Sequence, residues 1–278
     1  MLDYVTWDFS PEIITLNPLG FEITIAWYGL LFAMGFIIGQ QILFYIFKKD
    51  GRPASDVEML TIYVVIATVI GARLGHFLFY EWEFLLAAPW EWFKRLVTPP
   101  FSGLASHGAT IGILLALYIY SRKKADQSFL WVVDRVVITV SLGGAFIRLG
   151  NLLNSEIYGK PTDVPWAFLF VRETDPSLLP VVPRHPTPIY EALFCLFLLA
   201  LTFYLWKYKR HIIPEGFISG IFIVFLFSFR LAVEFLKVDQ VGFESGMVLN
   251  MGQVLSIPAI IAGIIILIYS YRTRRQMA

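Results

Sequence analysis

The amino-acid sequence predicts an all-α integral membrane protein with seven transmembrane helices. Of its 278 residues, 57% are hydrophobic and only 15% are charged, whereas soluble domains carry roughly 25% charged residues. The mean hydropathy is +0.67, so a water-soluble core could not enclose the apolar surface. At about 20 residues per span, this length accommodates seven helices in a single membrane domain that covers residues 1–278.

Apolar stretches of spanning length define the seven predicted helices. They cover residues 22–47, 57–80, 103–121, 128–149, 188–206, 215–236 and 250–271. The fourth stretch is interrupted by Asp134 and Arg135, for which a structural role, interfacial or interhelical, is the simplest explanation. The one cysteine, Cys195, lies in the fifth stretch, so the chain can form no internal disulfide, and we expect a small buried residue there.

The placement of Lys and Arg predicts the orientation of these helices. Basic residues cluster in every second connection: Lys48, Lys49 and Arg52; Arg122, Lys123 and Lys124; Lys207, Lys209 and Arg210; and Arg272, Arg274 and Arg275. The other connections are mainly acidic, for example at Asp239 and Glu244, although Lys94 and Arg95 are exceptions. By the positive-inside rule, the N-terminus faces outward and the C-terminus faces the cytoplasm.

Only one soluble part of any size is predicted, the extracytoplasmic segment 151–186 between the fourth and fifth helices. It contains six prolines, which favour irregular structure or short strands over helix. The stretch 81–96 mixes aromatic and charged residues and is too short to span a membrane, so it is expected to lie along the outer surface.

Several helices carry polar residues at one common depth, near the outer ends of the predicted spans. Counted from the inner ends at about 1.5 Å per residue, this level contains Tyr28, Arg73, His107, Arg148, Tyr190, Glu191, Arg230 and Glu234. Each ionisable group inside a membrane costs about 2.5 to 3.5 kcal/mol, so it requires a partner or a function. Taken alone, Arg230 and Glu234 could be a buried ion pair, and His107 could be structural. Their shared depth favours a site that opens to the outer leaflet.

Arginine is suited to phosphate because its guanidinium stays charged and offers a planar fork of donors. A pocket for a phosphorylated lipid headgroup is therefore predicted from Arg73, Arg148 and Arg230 together with Glu156, Glu191 and Glu234. The four histidines show no metal-binding spacing, and no nucleotide-binding pattern is present. We expect no metal, no cofactor and no nucleic-acid partner.

The densest group of polar and small residues runs from Gly143 to Gly159 and contains the string RLGNLLNSEIYG. This string resembles the signature of the prolipoprotein diacylglyceryl transferases. Six further strings resemble the same family in the same order, namely AWYGL, GARLGHFLFY, SHGATIG, RHPTPIYEAL, FRLAVEFLK and NMGQVLSIP. One departure is Ala109, where the family commonly has glycine, and we expect its methyl group to narrow the local backbone approach slightly.

The resemblance implies transfer of a diacylglyceryl group from phosphatidylglycerol to the lipobox cysteine of a prolipoprotein signal peptide, without a cofactor. It implies an enzyme that spans the bacterial cytoplasmic (inner) membrane several times. It also implies that Arg148 and Arg230 are essential. The remaining residues that it assigns to the site are Tyr28, His107, Asn151, Glu156, Gly159 and Glu234.

The expected mechanism takes its nucleophile from the substrate protein, because Cys195 lies within an apolar span. Arg148 and Arg230 would bind the phosphate, and His107 is the candidate proton acceptor. Arg73, Tyr190 and Glu191 are expected to help bind the substrate. A lipid or small-anion transporter is the alternative, although the sequence shows neither internal repeats nor polar groups in both membrane halves.

Overall fold

The computed structural model describes residues 4–17, 22–98, 103, 105–173, 176–238 and 246–277. Asp239 and Glu244, which entered the charge pattern, lie outside these ranges. Helices dominate the described residues, and the strands are short.

The helices are α1 (Trp27–Lys49), α2 (Ala54–Tyr80), α3 (Trp82–Ala87), α4 (Pro89–Val97), α5 (Ser106–Lys123), α6 (Phe129–Leu153), α7 (Thr187–Lys209), α8 (Phe217–Val233) and α9 (Met251–Met277). Two 3-10 turns cover Pro176–Leu178 and Glu234–Leu236. The strands are β1 (Val5–Trp7), β2 (Glu12–Leu16), β3 (Ile23–Ala26) and β4 (Phe168–Phe170).

Six helices in the described part of the chain are long and apolar enough to cross a membrane, namely α1, α2, α6, α7, α8 and α9. They correspond to six of the seven predicted spans, including the fourth. The third predicted span is α5, which has 18 residues and is not among the six. His107 near its start and Arg122 and Lys123 in its last turn lower its mean hydropathy.

The predicted start of the first span was wrong, because the helix begins at Trp27 rather than near residue 22. Residues 23–26 instead form β3, which pairs antiparallel with β2, and Leu16 lies opposite Ile23. The three consecutive β-branched residues of ITIA suit a strand, and the apolar content alone could not separate strand from helix.

The chain divides into two compact units, of which the second comprises residues 42–133. Its main contact is between α2 and α5, which meet through glycines. A Cβ at Gly75 would lie 2.6 Å from the Cα of Gly108, and a Cβ at Gly112 would lie 2.6 Å from the carbonyl oxygen of Ala67. Gly71 also faces Gly108, so the two backbones touch directly, as small residues allow in membrane helices.

The helices α3 and α4 carry an exposed apolar stripe. It consists of Trp82, Leu86, Trp90, Phe93 and Val97, which recur at spacings of three or four residues. The charged residues of α4 are Glu91, Lys94 and Arg95, while Trp92 is buried. This amphipathic pattern is the one expected of a segment that lies in a membrane interface.

The first unit comprises residues 1–41 and 134–278. In this unit α8 packs closely on α9, where Gly220 faces Leu267, and Phe194 of α7 stacks on Phe229 of α8 at 4.0 Å between ring centroids. Asp134 accepts hydrogen bonds from the backbone N–H groups of Gly216 and Ser219 at 2.8 Å each. These N–H groups, at the start of α8, would otherwise lack a partner within the helix.

In the segment 151–186, the described residues after the end of α6 at Leu153 are irregular apart from β4 and one 3-10 turn, as the prolines predicted. The segment forms a small cluster in which Leu152, Tyr158 and Phe170 are buried, and the rings of Tyr158 and Phe170 stack at 4.6 Å. The strand β1 pairs in parallel with β4, so the N-terminal residues pack on this segment. Trp7 further donates its indole N–H to the carbonyl of Leu152 at 3.0 Å.

Candidate active site

The C-terminal end of α6 holds Arg148 in a fixed orientation. Its Nη1 donates to Oδ1 of Asn151 at 3.3 Å, and Nδ2 of Asn151 donates to Oε1 of Glu156 at 2.7 Å. Asn154 donates to the same oxygen at 3.2 Å. Asn151 is only 4% exposed, so its amide links the arginine to the carboxylate within the protein interior.

The turn that carries Glu156 is strained. Ser155 and Ile157, the residues on either side, have φ angles of 53° and 58°, in the left-handed region that few residues other than glycine adopt. The N–H of Glu156 donates to the carbonyl of Asn151 at 3.0 Å, which folds the turn back on the helix end. Such strain costs about 1 to 3 kcal/mol per residue and is commonly kept at functional sites.

Arg148 also faces the start of α7. Its Nη2 lies 3.4 Å from Oε1 of Glu191, a carboxylate whose side chain is 7% exposed. Glu191 lies in the second turn of a helix whose first positions are Thr187 and Pro188, and proline suits that place because no N–H is needed there.

The end of α8 supplies a second arginine with a similar environment. Nε of Arg230 lies 3.8 Å from Oε1 of Glu234, four residues later. Oε2 of Glu234 accepts Nδ2 of Asn250 at 3.2 Å, and Gly252 packs against the same carboxyl group. A Cβ at Gly252 would lie 2.7 Å from that carboxyl carbon, so the glycine makes room for it.

Lys237 joins the two arginine and glutamate pairs. Its ammonium nitrogen lies 3.0 Å from Oε1 of Glu191 and 3.0 Å from Oε1 of Glu234, and its side chain is 1% exposed. The result is a line of alternating charge, which we call the charge ladder: Arg148, Glu191, Lys237, Glu234 and Arg230. In each of the two glutamates, one oxygen, Oε1, is shared between Lys237 and one arginine.

Two further residues predicted for the site lie beside members of the ladder. Tyr28, in the first turn of α1, packs against Gly150 and interacts electrostatically with Arg148 and Glu156. Gly159 pairs with the backbone of Lys237, and a Cβ there would lie 2.6 Å from both the Cβ of His185 and the carbonyl oxygen of Leu236. No larger residue fits between those two segments.

Tyr190 belongs to a separate polar group in the same unit. Its hydroxyl accepts the indole N–H of Trp166 at 2.8 Å and lies 3.2 Å from Nδ1 of His185. Burial lowers the pKa of His185, which favours the neutral imidazole.

The remaining predicted residues lie in the second unit. Arg73 is buried and donates to backbone carbonyls, those of Arg95 at 2.6 Å, Leu96 at 3.2 Å and Gly103 at 3.4 Å. The contacts with Arg95 and Leu96 satisfy carbonyl groups at the C-terminal end of α4. His107 is exposed at the second position of α5.

The departure at Ala109 is accommodated locally. The closest approach to α2 is made by the neighbouring Gly108. Ala109 lies somewhat further away, since a Cβ at Gly71 would lie 3.3 Å from its Cα. The side chain of Ala109 is partly exposed.

Two members of the arrangement were missed by sequence reasoning, Lys237 and Asn250. Lys237 lies three residues after Glu234, a spacing that places both on one face of a helical turn, so the signal was present in the string FRLAVEFLK. Asn250 had no such local signal, because 16 residues separate it from Glu234.

Comparison with known proteins agrees with the expected family. The sequence profile of the prolipoprotein diacylglyceryl transferases matches residues 15–269. The phosphatidylglycerol-prolipoprotein diacylglyceryl transferase of Porphyromonas gingivalis is 43% identical over 274 residues, which cover 95% of this chain and 94% of the relative.

Two further relatives of the same name match over similar lengths. The protein of Chloroherpeton thalassium is 41% identical, and the match covers 97% of this chain and 95% of the relative. The protein of Tolumonas auensis is 39% identical, with coverages of 97% and 99%. With six apolar helices of spanning length and these matches along nearly all of its length, the chain is a multi-pass membrane protein of the prolipoprotein diacylglyceryl transferase family.

Proposed function

We propose that this chain transfers the sn-1,2-diacylglyceryl group from phosphatidylglycerol to the lipobox cysteine thiol of prolipoproteins, the first step of lipoprotein maturation. Membership of the transferase family supports this activity, and the transporter alternative is not favoured for the same reason. The observation that carries the proposal is the charge ladder, which has one guanidinium at each end and a carboxylate between each arginine and Lys237.

Arg148 and Arg230 bind the phosphate of the donor lipid in this proposal. Each guanidinium contacts its carboxylate at 3.4 Å or more, longer than the roughly 2.7 to 2.9 Å of a strong charge-assisted bond. Their other N–H groups are then available to a phosphate, and they offset the charge that develops on the departing glycerol phosphate. Asn151 and Glu156 keep Arg148 aimed, and Glu191 and Glu234 serve the two arginines in the same way.

The reaction forms one bond and breaks one. The sulfur of the prolipoprotein cysteine attacks the glycerol carbon that bears the phosphate, and a thioether forms. The bond between that carbon and the phosphate oxygen breaks, and glycerol phosphate leaves with both electrons. The thiol proton passes to a base, for which His107 is the candidate from sequence, because an unperturbed thiol has a pKa near roughly 8.5.

Cys195 is unsuited to act as the nucleophile. It is 7% exposed, and a Cβ at Gly144 of α6 would lie 3.0 Å from its sulfur. The protein therefore uses the thiol of its substrate.

The other predicted residues contribute indirectly to binding. Gly159 lets the segment that carries Lys237 approach closely, and Tyr28 packs against Gly150, two residues after Arg148. Arg73 positions α4 through its three carbonyl contacts. Tyr190 accepts a hydrogen bond from Trp166 of the segment 151–186, and we expect this segment to cap the substrate pocket.

We further propose that α5 is the seventh span of a protein embedded in the bacterial cytoplasmic membrane. At about 1.5 Å per residue, its 18 residues rise about 27 Å, close to the hydrocarbon thickness of roughly 30 Å. The basic residues then place the N-terminus outside and the C-terminus in the cytoplasm. Signal peptides of prolipoproteins reach the enzyme from the membrane.

The test is to incubate the purified protein with phosphatidylglycerol and a peptide that carries one lipobox cysteine, and to read the peptide mass. We expect the mass of one diacylglyceryl group to be added, and no addition when the cysteine is replaced by serine. An unmodified peptide with well-folded protein, together with passage of labelled lipid or anion across proteoliposomes, would contradict the proposal and favour a transporter.

A further inference from the structure

We propose that Lys237 is a positioning residue of the transferase site, which holds Glu191 and Glu234 in place so that Arg148 and Arg230 keep donors for the substrate phosphate. This inference rests on the proposed function, because it concerns how the same site binds its anion. Lys237 itself acts through the two carboxylates and needs no contact with the substrate.

The burial of Lys237 is the first reason. Its side chain is 1% exposed, and an ammonium group removed from water is costly unless charged partners surround it. Two carboxylate oxygens at 3.0 Å supply that compensation. A buried lysine with two acidic partners is not needed to build a helix bundle, where apolar residues of similar size are often as stable or more stable.

The second reason is that the contacted oxygens are shared. Oε1 of Glu191 lies 3.0 Å from Lys237 and 3.4 Å from Arg148, and Oε1 of Glu234 lies 3.0 Å from Lys237 and 3.8 Å from Arg230. Both carboxylates are thus nearer to the lysine than to their arginines. The lysine weakens each arginine and glutamate pair without removing it.

Unpaired atoms at the same positions are the third reason. Among the described residues, Oε2 of Glu191 and Nε of Arg230 are buried and have no hydrogen-bond partner. Buried polar atoms without partners are uncommon, and of these two only the Nε–H of Arg230 is a donor of the kind that an anion requires. Arg230 therefore retains donor capacity even though Glu234 lies beside it.

The backbone fixes Lys237 from the other side. The backbone of Lys237 pairs with that of Gly159, and the N–H of Lys160 donates to the carbonyl of Leu236 at 2.7 Å. The ammonium group is consequently anchored between the ends of α7 and α8, where small shifts of either helix would change both contacts.

Loss of the ammonium group should leave two buried carboxylates that face only the arginines. Each carboxylate would then pair fully with its guanidinium and compete with the phosphate. We expect Lys237→Met to raise the KM for phosphatidylglycerol by about tenfold or more, with a smaller change in kcat. Free glycerol phosphate, the proposed product, should inhibit that variant correspondingly more weakly.

A double-mutant cycle separates this role from a merely structural one. In the wild-type background, Glu191→Gln removes a partner of Arg148 and Lys237, and we expect the KM to rise. In the Lys237→Met background, the same change removes a competing charge, and we expect the KM to fall. Lys237→Arg keeps the charge and should recover part of the affinity that Lys237→Met loses.

Lys207→Met, at an exposed position in the last turn of α7, is the matched control and should leave the KM unchanged. If Lys237→Met cannot be purified as a folded protein, Lys237→Gln takes its place, because it removes the charge and keeps hydrogen-bonding groups. A KM like that of the wild type, or a Glu191→Gln effect of the same sign in both backgrounds, would overturn the inference. A wild-type enzyme that never lipidates the peptide would instead contradict the proposed function.

Discussion

Two groups of charged residues within the predicted spans look alike in sequence and differ in what they contact. Arg73 and Asp134 are paired with helix ends: Arg73 donates to carbonyls at the end of α4, and Asp134 accepts N–H groups at the start of α8. Arg148 and Arg230 are paired with side chains that share their charge with Lys237. A guanidinium whose donors are occupied by the backbone has little left for a ligand. We therefore expect the partners of such a charge, rather than its depth, to indicate its role.

The largest effect is expected at the ladder arginines. Arg148→Ala or Arg230→Ala removes a donor to the phosphate and should reduce kcat/KM by about 10³-fold, while the detergent-purified protein stays folded. Activity is read from the lipidation of the peptide, and folding from the thermal unfolding midpoint. Activity within a few-fold of the wild type in either variant would remove that arginine from phosphate binding.

A smaller but specific loss is expected at Asn151, because its amide must accept from Arg148 and donate to Glu156 at once. Asn151→Asp keeps the size and shape of the side chain but places its carboxylate beside that of Glu156, where the two repel. We expect a loss of about 10²-fold in activity. Its pH profile should shift as well, since protonation of either carboxyl restores the donor. An aspartate variant as active as the wild type at neutral pH would show that the link is dispensable.

Arg73 should behave in the opposite way, with its main effect on stability. Arg73→Met removes donors to three carbonyls and a contact with the ring of Phe77, and we expect a loss of about 3 kcal/mol in the free energy of unfolding. The KM for phosphatidylglycerol of the folded fraction should change less than in the arginine variants of the ladder. A large increase in KM without loss of thermal stability would place Arg73 among the residues that bind the lipid.

The smallest effect is expected at Asp134, which accepts two backbone N–H groups while 2% exposed. Asp134→Asn keeps one acceptor oxygen and should lower the free energy of unfolding by about 2 kcal/mol, with unchanged kcat. Thermal unfolding in detergent measures the first quantity and peptide lipidation the second. If the variant lost activity but not stability, Asp134 would belong with the ladder rather than with the helix ends.

Much of this arrangement could be predicted because its signals are local. The spans follow from runs of apolar residues, and the contact from Arg148 through Asn151 to Glu156 lies within nine residues of sequence. The backbone partners of Arg73 could not be predicted, since they depend on a turn 22 residues further along the chain. Lys237 was missed for another reason: a lysine just beyond a span is usually solvated, and only folding reveals that two carboxylates surround it. The strand β3 was missed because its residues suit a helix end equally well by hydropathy.

The glycine contact between α2 and α5 has a consequence for how the sequence can change over evolution. Where Gly75 meets Gly108, backbone touches backbone, and no rotamer is available to absorb an added methyl group. We expect almost no substitutions to accumulate at these positions, whereas Ile, Leu and Val can replace one another freely on the exposed faces of the same two helices. A mutational scan of the two helices would then show that almost no substitution is tolerated at the glycines, whereas many are tolerated at neighbouring positions. The intolerant positions would mark the line along which the two helices touch.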